Sequence, residues 1–132
     1  MARTPAEILA AARTIALVGA SPNSSRPSNG VMRYLLDRGY RVIPVRPLVR
    51  EVHGVPCVGS LAEIDESIDL VDVFRRADAC PGVARQAVEA GAKAVWLQLG
   101  LVSPEARRIA EDGGLEYVEN ECTAIVHRRL AH

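Results

Sequence analysis

Two stretches of this chain put anion-holding chemistry next to apolar runs. The first is Gly19-Ala20-Ser21-Pro22-Asn23-Ser24-Ser25-Arg26-Pro27-Ser28, which follows Ile15-Ala16-Leu17-Val18 and precedes a helical pattern. A glycine straight after a buried strand permits a tight turn and close backbone approach. The helix beyond it offers N–H groups and the positive end of its dipole to a phosphate or pyrophosphate. Ser21, Ser24, Ser25 and Ser28 add hydroxyl donors, and Arg26 adds a fixed charge. The plainer alternative is a strand-to-helix turn with Ser28 as its N-cap. The G-x-G-x-x-G fingerprint of dinucleotide sites is not met, because Ser21 and Ser24 stand where its second and third glycines would be. The second stretch is Arg75-Arg76, after Leu70-Val71-Asp72-Val73-Phe74. Two guanidiniums there can pair with phosphates or stack on a base. Their alternative is salt bridging to Asp72, Asp78 or a nearby glutamate.

A further basic residue, Arg46, closes the run Val42-Ile43-Pro44-Val45. A NAD site calls for a carboxylate at that place to hold the ribose hydroxyls. Arg46 suits a ribose that carries a phosphate, as in NADP or the 3′-phosphorylated ADP of coenzyme A (CoA). A solvated surface arginine is the alternative.

No catalytic group emerges. His53, His127 and His132 have no nucleophile and acid at a recognisable spacing. Cys57, Cys80 and Cys122 are odd in number and far apart, which excludes a disulfide framework and a CxxC zinc pair. Cys122 falls at the functional rim, either as a packing residue or as a thiol able to pair with another thiol. Asp65, Glu66 and Asp69 read as a turn, not an acid/base pair, and no metal constellation is expected. Trp96 and Phe74 read as core.

Behind these residues lie the elements that must position them. Short, mostly continuous apolar runs rich in β-branched residues occur at Ile15–Val18, Val42–Val45, Leu70–Phe74, Ala94–Leu99 and Tyr117–Val118. Strands buried on both faces of a parallel sheet read this way. Helical patterns alternate with them and end at Gly39, Gly91 and Gly113-Gly114. Thr4-Pro5-Ala6-Glu7 and Ser60-Leu61-Ala62-Glu63 each fit a capping box, and Ser103-Pro104 starts another helix. A short extra strand is expected at Val55–Val58. The expected fold is α/β: one doubly wound, mainly parallel, Rossmann-like sheet of five to six strands with helices on both faces. Ligands bind such sheets beyond the carboxyl ends of the strands.

Composition agrees. The 132 residues are 48% hydrophobic and 24% charged, an ordinary globular balance for one domain spanning 1–132. Sixteen basic residues oppose sixteen acidic ones, which disfavours nucleic acid as a partner. No apolar run approaches the roughly 20 residues of a membrane helix, and the first residues lack a signal-peptide layout. A cytoplasmic protein is the expectation.

The runs Ile15 to Ser21 with Arg26-Pro27-Ser28, Val42 to Pro47, Val71 to Arg76, Trp96 to Gly100 and Cys122 to His127 together resemble the small stand-alone CoA-binding proteins. These are Rossmann-type domains similar to the CoA-binding domain of the succinyl-CoA synthetase α-subunit and of ADP-forming acyl-CoA synthetases. The resemblance implies CoA as the ligand. It would place Gly19, Ala20, Ser21, Arg26, Pro27 and Ser28 on the pyrophosphate. Pro44, Val45 and Arg46 would lie along the adenosine, with Arg46 or Arg50 near its 3′-phosphate. Val73, Phe74, Arg75 and Arg76 would border adenine and ribose, and Gln98, Leu99 and Gly100 the pantetheine. The chain departs from the family's usual pattern at Arg46-Pro47-Leu48, at Glu121 and at Thr123 to Val126. The implied function is binding of CoA or a short acyl-CoA by a carrier or regulator without chemistry of its own. The alternatives are the CoA-binding subunit of a multi-chain acyl-CoA synthetase and an NADP-binding module. A partner subunit or homo-oligomer stays open.

Overall fold

The computed structural model describes residues 3–130; His132 lies outside them. Five strands form one sheet: β1 (Thr14–Val18), β2 (Arg41–Val45), β5 (Leu70–Val73), β6 (Ala94–Leu97) and β7 (Glu116–Val118). Their order is β2-β1-β5-β6-β7 and every pairing is parallel. Register sets Leu17 beside Asp72 and Asp72 beside Trp96. The strands are short and β-branched because both faces are covered, and β1 and β5 are almost wholly buried.

Helices cover both faces. On one, α1 (Pro5–Ala11), α2 (Pro27–Asp37) and α5 (Thr123–Leu130) bury Ile8, Leu9, Met32, Leu35 and Val126 against Leu17, Leu70 and Trp96. On the other, α3 (Cys80–Glu89) and α4 (Pro104–Asp112) bury Cys80, Ala84, Ala106 and Ala110 against Val71, Val73, Val95 and Leu97. The sheet is doubly wound, as its sequence pattern predicts.

Two local expectations change. Ser60–Glu63 matches a capping box, yet only one 3₁₀ turn forms, over Leu61–Glu63. The Ser60 hydroxyl faces the Glu63 carboxylate at 3.4 Å and caps no backbone group. Leu61 is buried, but Asp65-Glu66-Ser67 follows and gives no apolar stripe to lengthen a helix. The strand expected at Val55–Val58 is divided. β4 (Val55–Pro56) pairs antiparallel with β3 (Glu51–Val52), across His53 and Gly54, both at positive φ. Val58 then makes a single parallel bridge to Val45 at the sheet's β2 edge.

Candidate functional site

Strand order reverses between β1 and β5: from β1 the chain winds outward to β2, and from β5 it winds the other way through β7. The carboxyl ends of these two central strands therefore border a crevice. Gly19 leaves β1 there with φ +89°, and a Cβ on it would drive into the Phe74 carbonyl just past β5. Only glycine tolerates both the torsion and the approach.

The loop beyond is organised from within. Ser21 is buried, and its Oγ accepts the Asn23 N–H at 3.1 Å. The Asn29 side-chain amide donates to the Ser21 carbonyl at 2.9 Å, tying the loop to α2. Helix α2 begins at Pro27 with Arg26 at the N-cap position, so Ser28 lies in the first turn and is not the cap. Pro27 is suited to this start because its missing N–H would be unpaired anyway. Ser25 gives its hydroxyl to the Asn23 side chain at 2.8 Å, and both Ser24 and Ser25 are exposed outside the cleft. The serines that line the cleft are Ser21 and Ser28.

The cleft above the strand ends measures about 790 Å³. That is the size of a site for a nucleotide-scale ligand. From the β2 end come Val45, Arg46 and Pro47; from β1 and α2 come Gly19, Ser21, Arg26, Pro27, Ser28 and Val31. β5 contributes Phe74, Arg75 and Arg76, and β6 contributes Gln98, Leu99 and Leu101. Cys122 and Ile125 line it from the head of α5. The structure thus gathers twelve of the sequence-derived candidates. Ala20, Pro44 and Val73 are buried behind the surface and do not line it, and Gly100 is exposed to one side. Arg50 also stands outside. Phe74, expected in the core, is half-buried and forms cleft wall; Trp96 is wholly buried, as expected, and donates its indole N–H to the Glu121 carbonyl at 2.8 Å.

Four arginines and no carboxylate line this cleft. Arg46 reaches the Ala20 carbonyl at 3.2 Å. Arg76 faces Asp78 at 3.4 Å, with both side chains mostly in solvent, so that pair is weak. Among the described residues Arg26, Arg46 and Arg75 form no ion pair.

Asp72 makes no salt bridge to Arg75 or Arg76. It is wholly buried in β5 and held by two neutral donors: Gln98 Nε2 at 2.5 Å and Thr123 Oγ1 at 2.9 Å. Gln98 Nε2 also donates to Thr123 Oγ1 at 2.9 Å, closing a three-residue ring. Burial pushes the Asp72 carboxyl up to about 7, against the pull of those two hydrogen bonds. The ring is the part of the site that no sequence motif marks. Its signal was a lone aspartate inside a wholly apolar strand, which demands buried partners.

Several other titratable groups are held by local contacts. Asp69 accepts the Arg13 and Thr14 N–H groups, and Glu66 pairs with Arg41. His127 Nδ1 meets the Tyr34 hydroxyl at 2.9 Å, and burial lowers its pKa. Cys80 is buried and its thiol is pushed up by desolvation. Among the described residues no cluster of His, Cys, Asp and Glu could hold a metal, and no helix is long and apolar enough to cross a membrane.

Fold and cleft together define a Rossmann-like domain with an anion-seeking crevice at its switch point. The chain belongs to the CoA-binding domain family, whose sequence model matches residues 13–128. It is 41% identical to the uncharacterized Bacillus subtilis protein YneT, over 92% of this chain and 90% of that one. A hypothetical protein from Pyrococcus horikoshii shares the fold with a TM-score of 0.93 at 40% identity, over 98% of this chain and 94% of that one. An ADP-forming acetate–CoA ligase of Archaeoglobus fulgidus is 26% identical over 90% of this chain, which spans only 19% of the ligase.

Proposed function

We propose that this protein binds CoA or a short acyl-CoA across the cleft, as a carrier or regulator with no chemistry of its own. The observation that carries this reading is the arginine-lined, carboxylate-free crevice beside Gly19. In it the pyrophosphate sits over Gly19, Ser21 and the first turn of α2, where Ser28 and Arg26 donate. Arg46 reaches the 3′-phosphate from the β2 end. Phe74, Arg75 and Arg76 flank adenine and ribose. The less charged β6 end, with Gln98, Leu99, Leu101 and Ile125, takes the pantetheine arm. Membership of the CoA-binding domain family supports the ligand class.

Calorimetric titration with CoA, dephospho-CoA, acetyl-CoA, NAD and NADP tests it. CoA is expected to bind in the micromolar range and dephospho-CoA about tenfold more weakly, near 1.4 kcal/mol. Arg46→Ala should abolish that difference. Binding of NADP but not CoA would overturn the reading in favour of a dinucleotide module. A second reading is a subunit of a multi-chain acyl-CoA synthetase, favoured by the Archaeoglobus ligase, of which the matched part is a minor share. Isolation of the native protein in a stable complex with an acyl-CoA synthetase chain would establish it.

A further inference from the structure

The ring of Asp72, Gln98 and Thr123 dictates which atom Gln98 shows to the cleft. An ionised carboxylate only accepts, so Asp72 takes one hydrogen from Gln98 Nε2 and the hydroxyl hydrogen of Thr123. With its hydrogen spent on Asp72, Thr123 Oγ1 can only accept from Gln98, and it takes the second amide hydrogen. Both Nε2 hydrogens are then used. With Asp72 ionised, the orientation of the amide follows from this network.

That leaves Oε1, which has no hydrogen-bond partner among the described residues. No fully buried side-chain oxygen or nitrogen among the described residues lacks a partner. Gln98 is 5% exposed and lines the cleft. Its unpartnered oxygen is therefore what reaches the cleft: a nearly buried acceptor, fixed from behind. Such an oxygen repels a phosphate and takes an N–H, O–H or S–H. Its position agrees, since the arginines stand at β2, β1 and β5, whereas Gln98 stands at β6 among Leu99, Leu101 and Ile125.

We propose that Gln98 is the fixed acceptor subsite of the cleft, that it receives an amide N–H or the thiol of the pantetheine arm, and that Asp72 and Thr123 are positioning residues that hold its amide in that sense. This rests on the CoA reading. Protonating Asp72 adds a donor where the ring needs an acceptor, and the amide loses its fixed sense. Only burial and these two hydrogen bonds perturb Asp72. The charged groups of the surrounding elements are Arg26 ahead of α2, Arg75 and Arg76 beyond β5 and His127 in α5, and none of them hydrogen-bonds to Asp72. β1 and β6 set Leu17 and Trp96 beside it.

The test compares wild type with Asp72→Asn and Thr123→Val by calorimetry, using CoA, acetyl-CoA and 3′,5′-ADP, which lacks the arm and the second phosphate of the pyrophosphate. At about pH 8.5, Asp72→Asn is expected to bind CoA about tenfold more weakly and 3′,5′-ADP as wild type does. The ratio between variant and wild type should close toward one by about pH 5.5, because wild-type Asp72 is then neutral too. Thr123→Val should weaken CoA in the same selective way. A loss shared by acetyl-CoA assigns the donor to the amides; a loss confined to CoA assigns it to the thiol. Equal losses for CoA and 3′,5′-ADP, or a ratio that ignores pH, overturn the inference while CoA binding itself stands. Failure of wild type to bind CoA overturns the CoA reading and this inference together.

Discussion

Gly19 is the residue on which the crevice turns. Its φ of +89° and the Phe74 carbonyl facing it together forbid a side chain. Gly19→Ala is expected to cost stability by strain in the torsion and by displacement of the β5 end, each on the order of 1–3 kcal/mol. Urea unfolding measures the combined loss, and the Kd for CoA reports the displacement at the cleft. A variant as stable as wild type would mean that the β1 and β5 ends do not need to meet. Gly39 is the useful control: it also has positive φ, but its Cβ would meet open space. Gly39→Ala should therefore carry the torsional cost alone. Asp72 shows the opposite kind of residue, one whose partners decide its role. Local sequence sets it near Arg75 and Arg76, whereas the fold gives it Gln98 and Thr123, 26 and 51 residues away.

At the scale of elements, what could be read from the chain was what is repeated along it. The five sheet strands, the alternating helices and the loops at the strand ends follow from apolar periodicity and glycine stops, and the structure has them within a residue or two. Pro44, Val45 and Arg46 fall at a strand end by position alone, but which of them lines the cleft depends on the pleat and on Val58 bridging Val45. β4 falls within the strand expected at Val55–Val58, but its partner β3 is only two residues long, too short for any period. Capping signatures show the same limit. Thr4 and Ser103 cap real helices, with Oγ accepting the Glu7 and Ala106 N–H groups at 3.1 Å each. Ser60 carries the same signature and caps nothing. Ser103→Ala is accordingly expected to destabilise the fold by about 1 kcal/mol, and Ser60→Ala by a few tenths at most. Denaturant midpoints at equal m-value separate the two. Equal costs would show that Ser60 stabilises the 3₁₀ turn in a way its hydrogen bonding does not reveal.

For the whole molecule the question is how ligand and fold are linked. The net charge is zero, so no long-range field draws a polyanion toward the protein, and attraction rests on the arginines gathered at one end of the sheet. That end is also where the strand ends meet the layer of α1, α2 and α5. The cleft takes residues from β2, β1, β5 and β6 and from the head of α5, and α5 packs in the layer with α1 and α2. A ligand there touches parts of the chain from Gly19 to Ile125 and ties them to one another. Binding should then be lost with global unfolding and not with a local opening. CoA at about one hundred times its Kd is expected to add about 2.7 kcal/mol to the unfolding free energy. For a domain of this size that raises Tm by roughly 8–14 °C, at about 3–5 °C per kcal/mol. Scanning calorimetry with and without CoA reads the shift, and 3′,5′-ADP at the same multiple of its own Kd should match it. A much smaller shift at saturation would mean that the cleft opens without unfolding the sheet. The strand ends would then be a separately mobile rim on a stable core.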